Sequence, residues 1–345
     1  MGKSKALIIG HIGKGNFGDD FMAVSLLNFL IQKYPDSKFV CFSNKKILHD
    51  NKVIFKKENI LNFICEIATC KTIIVNGGNY LHDYNLNFRF RFSPFLKFSL
   101  ISLFSFLFRK KLIYSGQGFG PFKSSWSKKW FNLLMKFPSF ISVRDGKSLE
   151  IFKRYNPKNS KIFLTSDSTF MAHPLKCEPR RNKDLNLGVN LLPFFELYKN
   201  SRIKDNYFLA SINKIINKLI EEENINPKIY LVVFSVKNNE KELSFLNKLK
   251  NNLNTQAELI IYNRVDKFIT EFNDKIDFFI GMRLHGIILS RLLCKPQFNL
   301  SYHNKCQNII KKIELDEAFS HQISSSLSLN KVYEDIVSST KKTYD

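Results

Sequence analysis

Arg283 and His285 are the residues of this chain whose types and spacing point most directly to chemistry. A short apolar strand, Phe278-Phe279-Ile280, runs into Gly281, where the chain can turn, and a helical pattern begins near Leu284 and continues through Ile287, Ile288, Leu289, Leu292 and Leu293. A guanidinium and an imidazole therefore stand at a helix N-terminus, where unpaired N–H groups and the positive dipole end favour an anion. The guanidinium can bond two oxygens of a phosphate or carboxylate at once, and the imidazole can exchange a proton near neutral pH. Plainer roles stay open: Arg283 paired with a surface carboxylate, His285 as a satisfied helix cap.

Arg144 repeats the arrangement, since the strand Phe140-Ile141-Ser142-Val143 delivers it just before a helix expected over Gly146 to Tyr155. It is either an anion ligand or the partner of Asp145 in a helix cap. Asp19 and Asp20 open a helix expected to run to about Tyr34, after the buried strand Lys5 to Gly10. The intervening Gly13, Gly15 and Gly18 have dinucleotide-fingerprint spacing, but two carboxylates occupy the place of a pyrophosphate, and the next strand, Lys38 to Ser43, ends without an acidic ribose ligand. A dinucleotide site is rejected, and the two carboxylates are read as N-caps or as groups that act on a hydroxyl. Gly77 and Gly78 follow the strand Thr72 to Val75, and Gly116 and Gly118 follow Lys111 to Tyr114. Both pairs read as glycine loops at strand carboxyl ends, where open α/β sheets bind ligands. No His, Asp or Glu set has ligand spacing, so no metal is expected.

These residues need a scaffold of alternating strands and helices, and that alternation implies parallel sheets with right-handed crossovers. The 345 residues, 44% hydrophobic, suffice for two cores. The expected division is an N-terminal domain over 1–172, a Pro- and Lys/Arg-rich linker over 173–184, a C-terminal domain over 185–305 ending in the strand Gln297 to Tyr302, and a tail over 306–345 with one helix at Lys331 to Lys341. Net charge is +23, yet Lys, Asn, Ile and Phe are abundant throughout, as in an AT-rich genome, and none of the recurrent nucleic-acid modules is present. The six scattered cysteines lack a Cys-x-x-Cys pair and read as free thiols; with no signal-peptide pattern, a cytoplasmic protein is expected. Phe88 to Phe108, with Phe alternating with Arg at its start and Arg109-Lys110-Lys111 at its end, is too short in its unbroken apolar part to span a bilayer. It is a core helix or one lying on an anionic membrane surface at the inner face of the cell membrane.

The stretch Gly281 to Lys305 resembles the C-terminal signature of the polysaccharide pyruvyl transferase family, with an Arg-Leu-His core, a Pro-containing turn, a strand, and Tyr302 before Lys305. Asn16 to Asp20 resembles the family's N-terminal motif, Gly77 to Asp83 its Gly-Gly-x-x-Leu-x-Asp pattern, Ser142 to Asp145 its Ser-x-Arg-Asp, and Asp167 to Phe170 its Asp-x-x-Phe. The resemblance implies a GT-B-like fold, two doubly wound Rossmann-like domains facing a cleft, and transfer of the enolpyruvyl carbons of phosphoenolpyruvate onto two hydroxyls of a sugar. It makes phosphoenolpyruvate the donor, with no cofactor, and a cell-surface glycan or polyprenyl-linked sugar the acceptor. Arg144, Arg283, Leu284 and His285 become donor-site residues, with His285 as general acid and Asp19 or Asp20 acting on an acceptor hydroxyl. Asn16, Gly77, Gly78, Asp83, Gly116, Gly118, Asp167, Tyr302 and Lys305 become acceptor or cleft-lining positions. A nucleotide-sugar glycosyltransferase of GT-B shape is the alternative. The family motifs do not cover the bulky aromatic segment 88–108, which leaves the acceptor open.

Overall fold

A computed structural model describes residues 4–83, 88–156, 161–172, 186–199, 202–222, 227–236, 239–301, 320–322 and 334. The chain forms two compact units, one of Met1–Lys14 with Asp19–Ala172, the other of Gly15–Gly18 with His173–Asp345. The expected linker, 173–184, lies outside the described residues.

The first unit runs β1 (Lys5–Ile9), α1 (Phe17–Lys33), β2 (Lys38–Phe42), β3 (Val53–Lys56), α2 (Ile60–Thr69), β4 (Thr72–Leu81), α3 (Phe88–Leu107), β5 (Lys111–Phe119), α4 (Ser125–Leu134), β6 (Phe140–Val143), α5 (Gly146–Tyr155), β7 (Ile162–Leu164) and a 3-10 turn, Ser168–Ala172. Its strands form one sheet in the order β3-β2-β1-β4-β5-β6-β7, every pair parallel. Strand order reverses between β1 and β4, so the carboxyl ends of these two strands frame the crevice where such sheets bind ligands. Contrary to the sequence expectation, β4 and β5 do not stop at their glycines. Gly78, at φ 114°, and Gly116, at φ 61°, take left-handed geometry inside the strands, and the β4–β5 register shifts between Gly78 and Leu81. Glycine lets the ladder bulge and resume, and composition alone cannot tell that from a loop.

The second unit runs β8 (Leu187–Asn190), α6 (Phe194–Lys199), α7 (Arg202–Glu222), β9 (Ile229–Val233), α8 (Asn239–Asn252), β10 (Ala257–Ile261), α9 (Val265–Lys275), β11 (Phe278–Gly281), α10 (Leu284–Leu292), β12 (Gln297–Ser301) and β13 (Ser320–Gln322). Its sheet, again wholly parallel, has the order β10-β9-β8-β11-β12-β13, with the reversal between β8 and β11. β12 is not the last strand, as its sequence suggested, because β13 pairs with it beyond residue 305. Three residues reading Ser-His-Gln carry no apolar alternation by which a strand could be found. Of the expected helix Lys331 to Lys341 only Glu334 is described, as helical. Cysteines also depart from expectation: Cys41, Cys65 and Cys70 are free, but Cys294 is disulfide-bonded, its partner outside the described residues. Bonding needs close Cα atoms, which scattered spacing does not reveal.

Helix α3 is a core helix on one side. Phe95, Phe98 and Ile101 are buried and join the sheet's apolar core, with Ser102 and Ser105 buried on the same helix, whereas Leu96, Leu103, Phe106 and Leu107 are exposed. The side chains of the alternating Phe and Arg at 88–92 lie outside the described residues. At its end the Arg109 N–H donates to the Phe106 carbonyl (3.0 Å) and the Lys110 N–H to that of Ser105 (2.7 Å), with Arg109 at φ 50°. This is the left-handed helix stop that glycine normally fills, and an arginine there costs roughly 1 kcal/mol more than glycine. Among the described residues no helix is long and apolar enough to cross a membrane.

Candidate active site

In the second unit the strand-order reversal brings Asn190, the last residue of β8, beside the chain leaving β11. The Asn190 side-chain carbonyl accepts the Arg283 N–H (3.1 Å), and its backbone carbonyl accepts that of Met282 (3.1 Å). Arg283 then occupies the N-cap of α10, a position that usually carries a side-chain acceptor, and makes no side-chain cap bond. Its guanidinium instead turns to Glu242 of α8, bonding one carboxylate oxygen through Nε (3.2 Å) and the other through Nη2. Glu242 is buried and also accepts from the Asn190 amide (3.1 Å). The plain alternative for Arg283 was a surface carboxylate; the observed partner is a buried one, which holds the fork in a fixed orientation. Neither Glu242 nor Asn190 was picked out from sequence, because each is a single polar residue in an ordinary helix or strand.

His285, half-buried in the first turn of α10, lies against Gly18. A methyl group at Gly18 would overlap the imidazole Nδ1. Gly18 reaches this place because residues 15–18 belong to the second unit: the Phe17 N–H bonds the Phe234 carbonyl (2.9 Å), the Val236 N–H bonds that of Gly15 (2.7 Å), and Asn16 bridges Ser235. Phe17 is fully buried, its ring 4.8 Å from Phe268 and 5.5 Å from both Phe234 and Tyr262. The Asn16 side-chain oxygen accepts the Gly18 N–H (3.1 Å) and closes the turn. The one sequence signal was Phe17 itself, a large apolar ring in a glycine-rich turn.

In the first unit the two N-terminal carboxylates separate in role. Asp20 is buried and accepts the Gly13 N–H (2.5 Å), which fixes the turn before α1. Asp19 is half-buried and acts electrostatically on Tyr80. Burial first, then the Asp19 charge, push that phenol well above its usual pKa, against the opposing His11 N–H and Arg144. The His11 N–H donates to the Tyr80 oxygen (3.2 Å), and the two rings meet edge to face at 4.9 Å, so the β1 and β4 ends close on each other. Neither His11 nor Tyr80 was anticipated.

Arg144 is 5% exposed and bonds Asp167 through Nη1 (2.9 Å). Asp145 caps α5 through the Ser148 N–H (2.8 Å) and stands 3.9 Å from the Arg144 Nε. Asp167 also accepts the Thr169 N–H (3.1 Å) and hydroxyl (2.9 Å), starting the 3-10 turn. The glycines admit side chains of this chain where a ligand had been expected: Gly77 faces Met22, Gly116 faces Ser168 and Gly118 faces the Arg144 guanidinium. Asp83 is enclosed by the N–H groups of Lys123 and Ser124 and the hydroxyls of Ser124 and Ser127, at 2.5 to 2.7 Å. Burial alone would raise its pKa, but these donors outweigh it and hold the carboxyl at about 2. The folded value lies below the 3.8 of the free group, so its stabilisation, about 2 kcal/mol, is present above about pH 4 and disappears as pH falls toward about 2. Asp83→Asn should lower the unfolding free energy in urea by about 2 kcal/mol at neutral pH and by little near pH 2. Tyr302 and Lys305 lie outside the described residues.

Comparison of the chain with curated protein sequences gives no match. Among solved structures it is similar to HepE of Anabaena in complex with UDP and glucose, with a TM-score of 0.62 and 10% identity over 99% of this chain and 92% of that one. It is similar to the UDP-GlcNAc 2-epimerase of Methanocaldococcus jannaschii, with a TM-score of 0.57 and 11% identity over 100% and 93%. The ADP-heptose heptosyltransferase II of E. coli gives a TM-score of 0.51 and 10% identity over 99% and 100%. Identities this low show the fold alone, two parallel-sheet α/β domains of GT-B type. The sequence itself carries more, since the model of one family, polysaccharide pyruvyl transferase, matches residues 16–304 and so takes in the Asn16–Gly18 turn, Arg144 and the Arg283–His285 helix start. The chain belongs to the polysaccharide pyruvyl transferase family.

Proposed function

We propose that the protein transfers the enolpyruvyl carbons of phosphoenolpyruvate onto two hydroxyls of one sugar, in a cell-surface polysaccharide or its lipid-linked precursor, forming a pyruvate ketal and releasing phosphate. The observation that carries this reading is the start of α10: an arginine oriented by a buried carboxylate at an N-cap without a side-chain acceptor, with a histidine two residues on. Phosphoenolpyruvate brings a phosphate and a carboxylate on one small skeleton, and a helix N-terminus beside an oriented guanidinium suits such an anion. A first sugar hydroxyl attacks the central carbon while the methylene carbon takes up a proton and becomes methyl. Phosphate then leaves, and the second hydroxyl closes the ring. The two hydroxyl protons balance one on the methyl group and one on phosphate. His285 is the group we assign to proton delivery, since imidazole exchanges protons near neutral pH. Asp19 is the carboxylate we assign to the acceptor hydroxyl, because it is half-buried whereas Asp20 is buried beneath the turn.

Likeness to HepE, whose structure holds UDP and glucose, supports a second reading as a nucleotide-sugar glycosyltransferase. Thermal unfolding separates the two, because a ligand that binds only the folded state raises the melting temperature. Phosphoenolpyruvate is expected to raise it, by about 2.7 kcal/mol of stabilisation at one hundred times its dissociation constant, while UDP-, GDP- and CMP-sugars leave it unchanged. Stabilisation by a nucleotide sugar alone would replace the pyruvyl-transfer reading.

A further inference from the structure

The last turn of α3 forms an apolar surface that the core does not use. Phe106 and Leu107 are 69% and 59% exposed, and Leu103, one turn earlier, is 47% exposed. The Phe106 ring meets that of Phe137, itself exposed, edge to face at 6.1 Å. Between them lies a hollow of about 380 Å³, bordered also by Arg109, Lys110 and Lys136. Three residues after Phe137 comes Phe140, at the start of β6, which is exposed and stacked at 5.0 Å on the exposed Phe163 of β7.

The stretch of chain that builds most of this surface carries charge of one sign. From Asp83 to Asp145 the chain has no acidic residue in between and eleven lysines or arginines. A general Lys-rich composition does not explain that, because the acids that accompany the lysines elsewhere are missing here. Lys110 is anchored on the Ala68 carbonyl (2.7 Å), but among the described residues Arg109, Lys111 and Lys136 have no carboxylate partner. Arg109 is also kept in left-handed geometry, where glycine would be more stable. Local stability does not account for an arginine at that position.

We propose that this end of the first domain docks on an anionic phospholipid bilayer, with Phe106, Leu107 and Phe137 entering the headgroup region and Arg109 and Lys136 meeting lipid phosphates. Exposed rings with a basic rim suit that environment, in which apolar burial and attraction to anionic lipid add together. The surface belongs to the first unit alone and does not depend on the pyruvyl-transfer reading.

Co-sedimentation of the full chain with vesicles tests it. Binding is expected to vesicles containing phosphatidylglycerol and not to pure phosphatidylcholine, and to weaken steeply with added salt. Phe106→Ser should reduce it roughly tenfold, in line with the apolar area withdrawn from the headgroup region. Lys136→Glu should reduce it at least about fivefold, the effect of one basic contact. Arg109→Gly should also bind about fivefold more weakly, while melting higher than the unaltered protein, so a lost fold cannot be mistaken for lost docking. Equal binding to both vesicle types, no binding to either, or binding indifferent to Phe106→Ser would overturn the proposal. So would a concentration-dependent dimer broken by Phe106→Ser without vesicle binding, which would assign the surface to a second copy of the chain.

Discussion

Replacing His285 with alanine is expected to lower kcat for pyruvyl transfer by roughly 10²–10⁴-fold, the range over which a positioned acid acts, with the stabilisation by phosphoenolpyruvate largely kept. The second way to reach the same residue is indirect. Gly18→Ala leaves the imidazole in place chemically, but its new methyl must displace the ring, since it would overlap Nδ1. A displacement near 1 Å is enough to cost about 10²-fold, so Gly18→Ala should show a reduced kcat and a shifted pH–rate profile with little change in donor binding. Phosphate release from phosphoenolpyruvate in the presence of acceptor measures both. If His285→Ala loses donor binding and keeps turnover, the imidazole is a ligand and proton delivery falls to another group.

Arg283 pairs with Glu242 and is also the proposed donor ligand, two roles that a single substitution confounds. Arg283→Ala removes the cation from Glu242, whose side chain is only 3% exposed, and an uncompensated buried carboxylate costs about 3–5 kcal/mol. The variant should therefore unfold at markedly lower urea concentration as well as lose phosphoenolpyruvate. Adding Glu242→Gln takes the stranded charge away. The double variant is expected to regain most of the lost stability and none of the donor binding, as read by urea unfolding and by the thermal shift with phosphoenolpyruvate. Recovery of both would mean that Arg283 serves the fold and that the anion is held elsewhere.

The helix start at Leu284 was legible because everything that makes it is local: an apolar strand, a glycine, and then the 3.6-residue apolar repeat. Two parallel sheets followed from strand–helix alternation for the same reason. Much of what escaped was non-local. Glu242 is 41 residues from the arginine it orients, and no spacing rule connects a polar residue of α8 to the end of β11. Asp19 and Asp20 read as equivalents, and it is the deeper burial of Asp20 and its bond from the Gly13 N–H that distinguish them. Asp83 and Asp167, which the motifs placed among cleft-lining groups, prove to be enclosed by donors of their own domain. Helix α9 went unforeseen although its buried Val265, Phe268 and Phe272 keep helical spacing, because charged and polar residues fill the positions between them. In α3 the run of phenylalanines disguised the division between buried and exposed faces, since both are apolar.

Residues 15–18 leave the first unit and return to it within a few positions, supplying Phe17 to the core of the second. The second domain is thus encoded in two separate places, the four codons for residues 15–18 and the stretch after Ala172. Recombination at the interdomain boundary would hand on a C-terminal half without the ring that fills the space among Phe234, Tyr262 and Phe268. Exchange of domains between relatives must carry the early turn along with the late half, and a second domain grafted without it inherits a hole among its own aromatic rings.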